Sequence, residues 1–143
     1  MEKEITAVMA LIEWNQSLKV DIQQFDDQHQ QLVAMVNRLH QALKDGQAVD
    51  LLDEILAGLL EYTQVHFAGE EALMEQYGYP DYQRHKQTHV DLVRQVEDIY
   101  AQFKNGKQLQ PISVMQFLVN WLTNHIKGED KKYTSFFKGK GIE

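Results

Sequence analysis

Four long stretches of this 143-residue chain carry apolar side chains at spacings of three, four and seven residues, with only short turn signals between them. This spacing places the apolar groups along one face of an α-helix. The length is close to that of one ordinary domain. Short connections between helices of similar length favour antiparallel neighbours. We therefore predict an all-α fold, an up-down-up-down antiparallel four-helix bundle, as a single domain over residues 1–143.

Turn and capping residues set the predicted helix bounds. Asp45-Gly46 and Asn105-Gly106 mark turns, and Asp50 is placed to cap the second helix. The predicted helices cover about 22–44, 50–76, 80–103 and 111–128. A short aromatic tail follows, and we expect it to pack back onto the bundle as a helical turn; it contains Tyr133, Phe136 and Phe137.

Composition excludes several classes of protein. No apolar run approaches the roughly 20 residues that span a bilayer, so we expect no membrane insertion. A formal net charge of −7 without clustered Lys or Arg argues against a nucleic-acid partner. The sequence has no cysteine, so any metal must be bound by nitrogen and oxygen. The first residues lack the basic start and long apolar stretch of a secretion signal, and we expect a cytoplasmic protein.

The histidines give the strongest functional signal. Side chains four residues apart lie on one face of a helix, so such a pair directs two donor groups at one point. Three compact clusters and one single histidine follow this kind of pattern. The candidate metal ligands are His29, His66 with Glu70, His85 with His89, and His125 with Asp130.

Antiparallel packing would bring all seven candidate ligands to the same level. They lie near the start of the first and third predicted helices and near the end of the second and fourth. His40 is an internal control, because it lies about 16 Å further along the first helix than His29. We expect His40 to be a surface or partly buried imidazole outside the site. Since burying several unpaired imidazoles and carboxylates together would be costly, the pattern predicts a dinuclear metal site.

Sequence stretches around these ligands resemble bacterial hemerythrins, members of the hemerythrin-like HHE family. The similar stretches are WNQSLKVDIQQFDDQHQQL, HFAGEEALM, YPDYQRHKQTHVDL and WLTNHIKGEDKKY. The resemblance covers nearly the whole chain, and it implies a centre of two iron ions joined by an oxo or hydroxo bridge. It also implies ligand roles: one iron on His85, His89 and His125, the other on His29 and His66, and Glu70 and Asp130 bridging both.

In this assignment the second iron has fewer protein ligands than the first, which leaves a position for dioxygen. We expect apolar walls around that position, because water and stray reductants must be kept out. The candidate pocket residues are Leu32, Phe67, Trp121, Leu122 and Ile126. Ordinary core packing is the alternative explanation for each. Glu71 and Glu129 adjoin ligands but are turned away by about 100° along the helix, so we expect them to be solvated.

Five imidazoles with only two carboxylates make a less electron-rich site than carboxylate-rich di-iron bundles. We therefore predict a non-enzymatic, non-heme di-iron protein that reversibly binds dioxygen for transport, storage or delivery. A partner would be an oxygen-consuming enzyme or a signalling output domain, although the chain shows neither a coiled coil nor an output domain. The alternatives are an oxygen- or redox-sensing domain, a di-iron peroxidase or nitric-oxide scavenger, and a protein that stores iron.

Overall fold

The computed structural model describes residues 12–143, which form a bundle of four long helices. No strand occurs within this range. The long helices are α1 (Gln23–Lys44), α2 (Ala48–Tyr77), α3 (Tyr82–Lys104) and α4 (Pro111–Gly128). The predicted four-helix fold is therefore confirmed. The predicted single domain over 1–143 also includes residues 1–11, which lie outside the described part.

The helices end where the sequence predicts turns. Gly78 follows α2 with φ of 69°, a left-handed conformation that glycine adopts without strain. Pro111 is the first residue of α4, where its missing N–H costs no hydrogen bond. The prediction of Asp50 as a helix cap is wrong, because α2 begins earlier, at Ala48, and Asp50 lies in its first turn. Its negative charge is still favourable there.

Helix α1 packs against α2 and α4, and α2 also packs against α3. In this arrangement the start of α1, the end of α2, the start of α3 and the end of α4 meet at one end of the bundle. We call this the ligand end, and the opposite end, with the turns at 45–47 and 105–110, the far end. Within residues 12–143 no helix is long and apolar enough to cross a membrane.

Short elements close the ligand end. A 3₁₀ turn (Gln16–Leu18) precedes α1, and a second 3₁₀ turn (Asp130–Tyr133) leads from α4 into the short helix α5 (Thr134–Gly139). Tyr133 and Phe137 in this tail are completely buried. The aromatic tail thus packs back onto the bundle as predicted.

Candidate metal centre

All seven predicted ligands meet inside the ligand end, and all are buried. Their donor atoms form two groups, and within each group every donor atom lies within 4.8 Å of the others. The first group contains Glu70, His85, His89, His125 and Asp130. The second group contains His29, His66, Glu70 and Asp130. The two carboxylates therefore belong to both groups.

Asp130 lies between the two sets of histidines. Its Oδ1 atom is 3.0 Å from the Nε2 atoms of both His85 and His125. Its Oδ2 atom is 3.1 Å from Nε2 of His29. One oxygen of this carboxylate thus faces each set.

Glu70 repeats this arrangement from the opposite side. Its Oε1 atom is 3.2 Å from Nε2 of His89. Its Oε2 atom is 3.5 Å from Nε2 of His66 and 3.6 Å from Nε2 of His29. The five imidazoles therefore all direct Nε2 at two shared carboxylates.

The donor atoms fit a pair of metal ions because several of them have no other partner. Although the ligand distances are short, many of these atoms are not aligned for hydrogen bonds with each other. Within the described part of the chain, the buried atoms without a hydrogen-bond partner include Nε2 of His29, His66, His89 and His125, Oε1 of Glu70 and Oδ2 of Asp130. Leaving so many buried polar atoms unpaired is unfavourable. Imidazole nitrogen and carboxylate oxygen are donors that suit iron.

Local structure explains how the ligands are positioned. His66 and Glu70, like His85 and His89, are four residues apart on one helix and share a face. Asp130 lies beyond α4, and the 3₁₀ turn brings it back beneath the end of that helix. The side chain of Arg84 joins the start of α3 to this turn, donating to Glu129 Oε2 over 2.7 Å and also contacting Asp81.

Two side chains outside the predicted set contact the outer nitrogens of the imidazoles. Gln28 Oε1 lies 2.5 Å from Nδ1 of His66, and Glu71 Oε2 lies 2.8 Å from Nδ1 of His89. Both oxygens only accept hydrogen bonds, so Nδ1 carries the proton and Nε2 presents its lone pair inward. The sequence indicated neither partner.

The prediction of solvation is wrong for Glu71, whereas Glu129 takes part in exposed ion pairs. The Glu71 side chain is 19% exposed, because it reaches from α2 across to His89 on α3. Glu129 is 23% exposed and pairs with Arg84 and Lys132. Each carboxylate lies one residue after a ligand and so does not share the ligand's face of the helix. Its side chain is nevertheless long enough to contact a neighbouring element.

A third additional contact comes from the tail. The Tyr133 hydroxyl donates a hydrogen bond of 2.5 Å to Oε2 of Glu70. Burial and the nearby carboxylates raise the pKa of Tyr133 well above its usual value, so the hydroxyl keeps its proton. The sequence indicated Tyr133 only as part of an aromatic tail.

Charges within the centre shift the pKa values of its members. Burial opposes the charged imidazoles, but neighbouring carboxylates raise the pKa of His29 to about 10 and that of His89 to about 9. Burial lowers the pKa of His66 to about 4. Burial also opposes ionisation of Glu70 and Asp130, yet the surrounding imidazoles hold the pKa of both well below the usual range. The ionised carboxylates thus attract positive charge, which metal cations can supply in place of protons.

A small cavity adjoins the two-histidine group. Its volume is about 10 Å³, measured as the space open to the centre of a water molecule. All five predicted pocket residues line it, together with His29, His66, His125, Asp130 and Leu92. The sequence reasoning missed Leu92, although it lies three residues after His89 on α3.

His40 is the one histidine that lies outside this centre. It is 8% exposed and buried in α1, so it is less exposed than the surface or partly buried position that we predicted. It belongs to neither group of candidate metal ligands found within residues 12–143.

Comparisons with known proteins agree with this geometry. Residues 20–137 match the family described as "Hemerythrin HHE cation binding domain". A bacteriohemerythrin of Stenotrophomonas maltophilia is 35% identical over 130 residues, covering 91% of this chain and 84% of that protein. A bacteriohemerythrin of Pseudomonas aeruginosa is 36% identical over 125 residues, covering 87% of this chain and 80% of that protein.

Solved structures give the same result. A wild-type hemerythrin crystal structure superimposes with a TM-score of 0.81 and 32% identity, covering 88% of this chain and 97% of that chain. The resemblance inferred from the ligand stretches is therefore confirmed. The chain belongs to the hemerythrin family of di-iron, oxygen-binding proteins.

Proposed function

We propose that this protein binds dioxygen reversibly, for transport, storage or delivery, and that its seven buried donors hold the two irons. The observation that carries the proposal is the placement of the two carboxylates. Glu70 and Asp130 each direct one oxygen at the three-histidine set and the other at the two-histidine set. Such a carboxylate is placed to bridge two cations.

The ligand roles follow from the two groups. His85, His89 and His125 would hold one iron, and His29 and His66 would hold the other. When bound, the irons supply the redox chemistry for taking up and releasing dioxygen. Gln28 holds His66, and Glu71 holds His89, in the tautomer that presents Nε2 to a metal.

The cavity supports reversible binding over turnover of a larger substrate. A volume of about 10 Å³ admits about one molecule of the size of water. Leu32, Trp121 and Ile126 are buried around it, and they would keep bulk water away from the bound gas. A small gas molecule suits this space better than an organic substrate does. We therefore propose a binding protein, with an oxygen-consuming enzyme or a signalling domain as its partner.

The first test is the visible absorption spectrum of iron-loaded protein during an oxygen cycle. The protein is reduced without air, exposed to air and then deoxygenated, with no reductant added after the first step. Colour that appears with air and disappears on deoxygenation would support reversible binding. A permanently oxidised product that consumes oxygen would instead favour a peroxidase, a nitric-oxide scavenger or a redox sensor.

The ligand roles need a separate test. We expect His125→Ala to prevent a stable two-iron centre, because it removes a donor from the three-histidine set. His40→Ala is the matched control, since it removes a buried imidazole outside the site. Iron content per chain, measured after gel filtration, should fall only in His125→Ala. An unchanged iron content in that variant would refute the ligand assignment.

A further inference from the structure

The two histidine sets differ in the groups that contact them from outside. His89, in the three-histidine set, directs Nδ1 at the Glu71 carboxylate over 2.8 Å. His66, in the two-histidine set, directs Nδ1 at the Gln28 side-chain amide over 2.5 Å. One outer partner is anionic and the other is neutral.

This difference in charge affects the donor strength of each imidazole. A carboxylate that accepts the Nδ1 proton increases electron density on the ring and makes Nε2 a stronger ligand. A hydrogen bond to a charged acceptor is also roughly twice as strong as one to a neutral acceptor. His89 should therefore bind a cation more tightly than His66.

Packing adds to the difference. The Phe67 ring stacks on His89 with centroids 3.7 Å apart and planes within 2°. An unpartnered, buried Nδ1 does not distinguish the sets, because among the described residues it occurs in His29 of the two-histidine set and in His85 of the three-histidine set. The small cavity borders both imidazoles of the two-histidine set, His29 and His66, but only His125 of the three-histidine set. The outer carboxylate and the stacked ring thus hold His89 more firmly than either imidazole of the two-histidine set before a metal arrives.

We propose that the two ion positions fill in a fixed order, with the three-histidine position first, and that Glu71 sets this order as a positioning residue for His89. The inference rests on the proposed two-metal function. It adds that the second, more weakly held ion lies beside the cavity. Loss of metal would begin at that position.

Titration with Co²⁺ alone at constant pH tests the proposal, because binding to nitrogen and oxygen ligands changes the Co²⁺ absorption spectrum. Wild-type protein should bind two ions in two resolved steps. Glu71→Gln should weaken the first step by about 10- to 100-fold, the usual effect of losing an outer partner, and leave the second close to wild type. Gln28→Glu should strengthen the second step selectively.

Glu97→Gln is the matched control. Glu97 lines the same surface groove between α2 and α3 as Glu71, so its loss removes the same charge from the groove. It makes no hydrogen bond to His89, whose Nδ1 pairs with Glu71. We expect both steps in this variant to match wild type. Equal weakening by Glu97→Gln and Glu71→Gln would show a general charge effect and overturn the proposal.

Ligand variants identify which position fills first. His66→Ala should keep the first step and lose the second, whereas His125→Ala should lose the first step. Retention of a wild-type first step in His125→Ala would overturn the order. If wild-type protein bound fewer than two ions, the proposed function would fail. If it bound two but Glu71→Gln weakened both steps equally, only the order would fail.

Discussion

The two ends of the bundle differ in the polar side chains that they bury beside their apolar core. The far end is filled with apolar side chains, including Leu39, Ala42, Leu52, Ile55 and Val114. The ligand end buries five imidazoles and two carboxylates at the same depth in the molecule. The bundle is continuous, yet its two halves have different chemistry.

Because of this difference, we expect the far end to contribute mainly to stability and the ligand end to function. Burial of apolar surface stabilises the far end by about 25 cal/mol per Å², and it needs no ligand. The ligand end carries buried donors whose partners are incomplete, which is unfavourable until a cation satisfies them. We infer that the far end maintains the fold while the ligand end is empty.

Removal of the metal should cause the largest change in the free energy of unfolding, and it should destabilise only the ligand end. At iron concentrations 1,000-fold above Kd, bound metal should raise the free energy of unfolding by about 4 kcal/mol. Hydrogen exchange with and without a chelator checks the location. Protection should fall around His29 and His85 and persist around Leu39 and Leu56. An equal loss at both ends would contradict the comparison.

Truncating a buried side chain at the far end should cause the next largest change in the free energy of unfolding. Leu56 is completely buried, so Leu56→Ala should lower the free energy of unfolding by about 3 kcal/mol. The loss, measured by urea denaturation, should be the same with and without iron, because distant sites contribute additively. Iron content should remain that of wild type. A large loss of iron would show that the two ends are coupled.

A smaller effect is expected where the tail meets the ligand end. Tyr133→Phe removes the hydroxyl that donates to Glu70, leaving a buried carboxylate oxygen with one partner fewer. The metal-free protein should lose about 1–2 kcal/mol in urea denaturation. Tyr77→Phe is the control, since Tyr77 is partly buried and none of the side-chain hydrogen bonds found among residues 12–143 involves its hydroxyl. Equal losses in the two variants would argue against a role for the hydroxyl.

The smallest effect should come from the buried histidine outside the site. Nδ1 of His40 has no hydrogen-bond partner among residues 12–143, so replacing the ring by an apolar group removes an unfavourable burial. We expect His40→Leu to leave the free energy of unfolding unchanged or to raise it by up to about 1 kcal/mol. Thermal unfolding checks this, with iron content measured in parallel. A clear destabilisation would reveal a polar role at the far end.

Sequence reasoning predicted the features that depend on position along one helix. Apolar spacing and turn residues located all four helices within about two residues, within the usual uncertainty of helix ends. The spacing of His66 and Glu70, and of His85 and His89, also indicated that each pair shares a face. The structure then brought the seven candidate ligands together at one level.

Contacts between side chains of different helices or turns could not be predicted in this way. Glu71 and Gln28 act across helix boundaries, and their contacts depend on rotamers and on the distance between neighbouring helices. Tyr133 reaches Glu70 only because the 3₁₀ turn reverses the chain after α4. The helical-face argument for a solvated Glu71 failed because a glutamate side chain spans the angle to the next helix.

The position of Asp130 has a consequence for synthesis of the protein. One of the two shared carboxylates lies in the turn beyond α4, whereas His29 lies near the start of α1. A growing chain therefore cannot complete the ion-binding centre until all four helices have left the ribosome. A growing chain that has not yet reached α4 lacks His125 and Asp130, so it can complete neither of the two ligand groups.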